Sequence, residues 1–203
     1  AANALTDIRG AGIARIAVAE ADIFVRPAAG LSLSLGASYN DAEITEDFCR
    51  IANPLFDCTR PGPEGEENAL LAPAGTRLPI TSRFKANALG RYEFPIGGMD
   101  GHVQAGLVHE GRRTSDLRLL ERDILGDLPS YTTVDFSTGV QSDRWSATLF
   151  VKNLFDVNGK VGNTIQCTET TCGDPDGVTA IGGKIYTFVL QPRTIGVRLG
   201  TRF

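Results

Sequence analysis

The stretch LSLSLGASY, residues 31–39, puts Leu31, Leu33, Leu35, Ala37 and Tyr39 at every second position, with Ser32, Ser34, Gly36 and Ser38 between them. A period of two is what a half-buried β-strand requires, because successive side chains leave the backbone on opposite faces. TTVDFSTGV (132–140) and WSATLFVK (145–152) alternate in the same way. So does PRTIGVRLGTRF (192–203), where Ile195, Val197, Leu199, Thr201 and Phe203 oppose Thr194, Gly196, Arg198, Gly200 and Arg202. Seven strands are expected, near 12–26, 31–45, 79–94, 102–116, 130–141, 145–155 and 185–203. The first changes phase between Val18 and Ile23, which reads as a bulge.

The connections constrain the fold further. They run 27–30, 46–78, 95–101, 117–129, 142–144 and 156–184, so short and long alternate strictly. A soluble sandwich has no reason to gather every long loop at one end. A transmembrane barrel does, with short turns toward the periplasm and long loops outward. Several segments are longer than the roughly 9–11 residues that cross hydrocarbon, so they are expected to project beyond it. Tyr92, Phe94, Trp145 and Phe203 stand where strands would meet headgroups and are expected to form an aromatic girdle. The expected fold class is all-β: an antiparallel up-and-down transmembrane β-barrel segment with long extracellular loops and short periplasmic turns.

Composition excludes several classes. No run approaches the roughly 20 apolar residues of a spanning helix. A net charge of −4 argues against a nucleic-acid partner. The amino terminus, AANALTDIRGAG, lacks the pattern of a signal peptide. The cysteines form two close pairs, Cys49 with Cys58 and Cys167 with Cys172, each in a long loop. Neither has C-x-x-C spacing or a neighbouring histidine, so local disulfides in an oxidising compartment are expected rather than zinc.

LFVKNLFD (149–156), the long cysteine-bearing loop after it and the closing PRTIGVRLGTRF together resemble the carboxyl end of TonB-dependent outer-membrane receptors. LGDLPSYTTVDFSTGVQSDRWSATLFVKNLFD (125–156), YEFPIGG (92–98) and LSLSLGASYNDAEIT (31–45) resemble them too. The resemblance implies a 22-stranded barrel, plugged by an amino-terminal domain, in the outer membrane of a Gram-negative bacterium. It implies import of a scarce solute, such as a ferric siderophore, cobalamin or an oligosaccharide, energised through TonB. It also implies that the last strand, through Gly196, Val197, Leu199, Thr201 and Phe203, signals to the barrel-assembly machinery. Thr201 stands where an aromatic is commoner. With no plug, no TonB motif and about a third of the strands, residues 1–203 read as the carboxyl-terminal portion of such a receptor.

Nothing calls for catalysis, a cofactor or a metal. His102 and His109 are expected on opposite faces of one strand, and His109-Glu110 lacks a zinc protease's second histidine. GAG at 10–12 reads as a turn, and no serine lies in a G-x-S-x-G elbow. Asp174 and Asp176 fail the full calcium-loop pattern, and 61–68 (PGPEGEEN) reads as a solvated loop tip. Inward-facing Lys85, Arg91, Arg198 and Arg202 are candidates for contact with solute or plug, as are Arg112 and Arg113, with His109, near a strand top. Two other readings remain: a small self-contained outer-membrane barrel (passive pore or adhesin), and a secreted disulfide-bearing β-sandwich binding module.

Overall fold

The alternating segments assemble side by side. The computed structural model describes residues 13–53, 55–166 and 184–201. In chain order the elements are β1 (Ala14–Ala28), β2 (Leu31–Ile44), β3 (Phe48–Cys49), β4 (Leu70–Ala72), β5 (Phe84–Ile96) and β6 (Met99–Glu110). They continue with α1 (Leu119–Leu125), β7 (Tyr131–Gln141), β8 (Trp145–Lys152), β9 (Lys160–Gln166), β10 (Lys184–Val189) and β11 (Thr194–Thr201). One seven-stranded sheet runs β1-β2-β5-β6-β7-β8-β11, every neighbour antiparallel; β3-β4 and β9-β10 form two small sheets beside it.

The register places like residues together. Ile23 pairs with Leu35, Leu35 with Ala88, Ala88 with Leu107 and Leu107 with Val134. Phe136 pairs with Val151, and Val151 with Ile195. Directly opposed residues share a face, so one face is apolar from β1 to β11. The opposite face carries Asp22, Asn87, Arg91, Gln104, Ser137, Thr148 and Arg198. Leu199 is 75% exposed on the apolar face, and among the described residues no second sheet covers it. This rules against the β-sandwich.

Several expected boundaries move. The 95–101 connection shrinks to Gly97-Gly98, whose φ angles of 58° and 79° suit a two-residue hairpin turn. The strand expected from 79 begins at Phe84, and 117–129 contains helix α1. The segment 185–203 is divided: β10 pairs with β9, and after Pro192 β11 pairs with β8. Proline has no N–H to donate to a ladder.

The phase change in β1 is not a bulge. Its ladder with β2 is unbroken from Ala14 to Val25, and the irregularity lies between Val25 and Ala28. What changes at the far end of the strand pair is the side that is apolar. Beyond Tyr39 the apolar face turns to charge: Asp41 lies 3.4 Å from Arg83, and Glu43 lies 2.6 Å from Arg15. On the other face Ala42 and Ile44 become buried, each 1% exposed. They join Ala72, Ser82 and Leu128, all 0% exposed, in a core at the long-connection end. Helix α1 touches both β4 and β9, so the three long connections meet in one cap on the polar-face side.

Candidate functional site: the polar face and its cap

The polar face follows from strand chemistry, and two ion pairs stand on it. Lys85 Nζ lies 3.2 Å from Glu110 Oε1. Arg91 Nε donates to Glu93 Oε1 at 2.8 Å, and its Nη1 to Gln104 Oε1 at 3.2 Å. At the other edge a glycine creates the geometry. A Cβ on Gly196 would sit 2.5 Å from the Phe150 ring, so its absence lets that ring lie across β11. The Arg198 guanidinium stands 6.0 Å from the ring centroid. Among the described residues neither Arg198 nor Lys152 has a carboxylate within ion-pair distance. Two concavities follow: about 270 Å³ beside Gln104, Asp135, Phe150, Lys152 and Arg198, and about 310 Å³ beside Glu20, Asp22, Lys85, Asn87 and Glu110.

The cap places three expected contact residues elsewhere. Arg113 is only 5% exposed; its Nη2 donates to the Lys160 carbonyl at 2.8 Å and its guanidinium lies 5.4 Å from the Tyr131 ring. It braces two loops. Arg112 is a mostly exposed partner of Asp127 at 3.3 Å. His109 falls on the apolar face, with Nδ1 2.8 Å from Thr132 Oγ1 and its ring near Phe84, so it does not face the polar side. His102 is on the polar face, opposite His109 in facing as expected. Asp127 accepts two hydrogen bonds from Arg122, at 2.9 and 3.2 Å. Those bonds hold its carboxyl below the usual range; burial opposes them, and the charges of Arg122 and Arg112 add to them.

Asn153 and Asp156, the polar ends of the NLFD motif, both take positive φ, 50° and 54°. Asn153 is 6% exposed, and its side-chain nitrogen and oxygen are both engaged. Its Nδ2 donates to the carbonyls of Val157 and Gln191, each at 3.0 Å, and its Oδ1 accepts from Val157 N at 2.9 Å. Its own N–H donates to Asp135 Oδ1 at 2.8 Å. Asp156 Oδ1 accepts from Arg193 N at 2.8 Å. The motif itself was plain in the sequence. That its amide ties strand ends 38 residues apart was not.

Cys49 and Cys58 are bonded and staple the loop between β2 and β5. Residues 61–68 form a hydrogen-bonded turn, Gly62 N donating to the Glu66 carbonyl at 2.8 Å. Tyr92, Phe94 and Trp145 lie on the apolar face at the short-turn end, the first two with ring centroids 5.7 Å apart. Gly196, Val197, Leu199 and Thr201 lie on β11. Cys167, Cys172, Asp174, Asp176, Arg202 and Phe203 lie outside the described residues, as do residues 10–12.

No family model and no curated protein matches the chain. Solved structures do. The ferric yersiniabactin uptake receptor FyuA from Yersinia pestis superposes with a TM-score of 0.62 at 18% identity, over 92% of this chain and 23% of that one. The siderophore receptor PiuA from Acinetobacter baumannii gives 0.59 at 14% identity, over 92% and 21%. The fold is an antiparallel β-barrel segment like the matched parts of these two structures. The segment thus spans less than a quarter of either receptor's length.

Proposed function

We propose that this barrel segment belongs to a TonB-dependent outer-membrane receptor importing a scarce solute, of the ferric siderophore class before cobalamin or oligosaccharides. One observation carries the reading: an apolar face running from β1 to β11, an opposite face of charged groups and hydroxyls, and three long loops gathered into a cap at one end. The apolar face fits acyl chains, and the span Leu31–Tyr39 matches the strand length that crosses hydrocarbon. The polar face then lines a lumen, where Lys85, Arg91, Arg198 and Arg202 meet solute or plug. Tyr92, Phe94, Trp145 and Phe203 anchor the short-turn rim at the headgroups. Gly196, Val197, Leu199, Thr201 and Phe203 address the assembly machinery, and Cys167 bonds Cys172. The seven strands are about a third of a closed barrel, whose plug and remaining strands lie outside residues 1–203. The likeness to FyuA, a ferric yersiniabactin uptake receptor, supports the ferric siderophore class.

The experiment is uptake by cells carrying the full-length protein, with ferric siderophores, cobalamin and maltooligosaccharides as labelled probes. Saturable uptake of a ferric siderophore that stops when the proton-motive force is dissipated or TonB is deleted is the expected result. Uptake that is linear in probe concentration and indifferent to both treatments would mean a passive pore instead.

A further inference from the structure

The wall and the outer hairpin are not one continuous ladder. Pairing of β8 with β11 stops at Lys152 and Thr194, while pairing of β9 with β10 begins only at Lys160 and Val189. Between them stand 153–159 on one side and 190–193 on the other. Backbone hydrogen bonding across this gap is sparse: Leu190 N donates to Gly159 O at 2.9 Å. Leu154 N meanwhile turns to Val134 O of β7, at 2.7 Å, so β8 stays with the wall while its other neighbour leaves. A two-stranded hairpin is marginal by itself in water. Something other than the ladder must fix its angle.

We infer that Asn153 is a positioning residue: its carboxamide, with Asp156, is a latch that sets the direction of the β9–β10 arm relative to the barrel wall. The chemistry singles out an asparagine. Two donors on Nδ2 reach the carbonyls of Val157 and Gln191 on opposite sides of the gap, while Oδ1 takes the Val157 N–H. Asp cannot supply the donors, and the positive φ disfavours most other side chains while tolerating Asn. Asp156 repeats the crossing by holding Arg193 N, and Arg193 Nη1 approaches the Leu154 carbonyl at 3.5 Å.

The far side of the arm is tied to the neighbouring loop. Asn163 Nδ2 donates to the Leu125 carbonyl at the end of α1, at 2.8 Å, and its Oδ1 accepts from Thr187 Oγ1 at 2.9 Å. Arg113 Nη2 holds the Lys160 carbonyl. Latch and ties together make the arm and the β6–β7 loop one body at the cap. The arm's exposed Tyr186 and Phe188 on one side, and Ile185 and Val189 on the other, therefore keep a fixed place relative to α1. This geometry does not rest on the transport reading, and its test needs no solute.

The test uses the full-length protein in detergent, with nitroxide labels at L120C and F188C, and hydrogen exchange of the same samples. Asn153→Gly keeps the left-handed backbone and removes only the carboxamide. It should broaden the distance distribution between the labels and speed exchange of the β9 and β10 amides roughly tenfold or more. Amides of β5 to β7 should not change. Asp156→Asn, which keeps the acceptor for Arg193 N, should stay near the parent in both readouts, whereas Asp156→Gly, which keeps the left-handed backbone and removes the carboxylate, should move part of the way. A narrow, unshifted distance and unchanged arm protection in Asn153→Gly would overturn the latch. If that variant does not assemble, Asp156→Gly decides by the same readouts, its parent-like behaviour counting against the latch.

Discussion

Single residues on this sheet have consequences set by the face they occupy. Leu35 sits midway along the apolar face and Ser34 beside it on the polar one. Leu35→Arg should cost about 2–4 kcal/mol in a bilayer, the range for a cation at the midplane of a barrel's lipid face. Ser34→Arg should cost far less, since its guanidinium would point into a wet lumen. Denaturant titration of the full-length protein in lipid vesicles measures both; equal losses would mean that the faces are wrongly assigned. Gly196 makes a different demand. Adding a methyl there drives the Phe150 ring from its place, an overpacking that costs about 1–3 kcal/mol. Because the clash is with one side chain, Phe150→Ala should recover most of the loss from Gly196→Ala. A double-mutant cycle in the same assay reads that coupling directly.

At the scale of elements, stability in the cap depends on pH through Asp127. Its folded pKa lies below the ordinary value of about 3.9. A depressed carboxylate contributes stability that is present above the unfolded value and lost as pH falls through the folded one. Acidification below about pH 4 should therefore loosen α1 and its flanks first, seen as faster exchange of the amides in 119–128. Asp127→Asn should flatten that dependence while lowering protection at neutral pH. The same loop shows what the sequence could and could not reveal. Strands β2, β6, β7 and β8 were legible because a period of two reports facing directly, without any knowledge of partners. Helix α1, seven residues long, has no comparable signal. Its place is fixed by Arg122, Asp127 and Asn163, residues that ordinary surfaces also carry. The end of β1 misled for a physical reason. Its apolar side exchanges toward the long-connection end, where Ile44 enters the cap core and Asp41 and Glu43 take the outer side, and period analysis has only the vocabulary of a bulge for that exchange.

For the molecule as a whole the decisive quantity is the hydrogen bonding of its two outermost strands. Among the described residues β1 pairs only with β2, and β11 only with β8. Each therefore presents one row of N–H and C=O groups without a ladder partner. In water such an edge is tolerable; in hydrocarbon each unpaired group costs several kcal/mol. No rearrangement within a seven-stranded sheet removes that penalty, because closing so few strands would force the long polar side chains of Arg91 and Arg198 and the ring of Phe150 into a narrow interior. Residues 1–203 refolded alone into lipid vesicles should then pair edge to edge with further copies. Gel electrophoresis without boiling should show ladders of oligomers rather than one compact, heat-modifiable band, and protease should cut β1 and β11 before β5, β6 and β7. The full-length protein should give the single band. A monomeric, heat-modifiable and protease-resistant species from the 203-residue chain would instead mean that it closes on itself, and the self-contained barrel would then replace the receptor as the reading of this sheet.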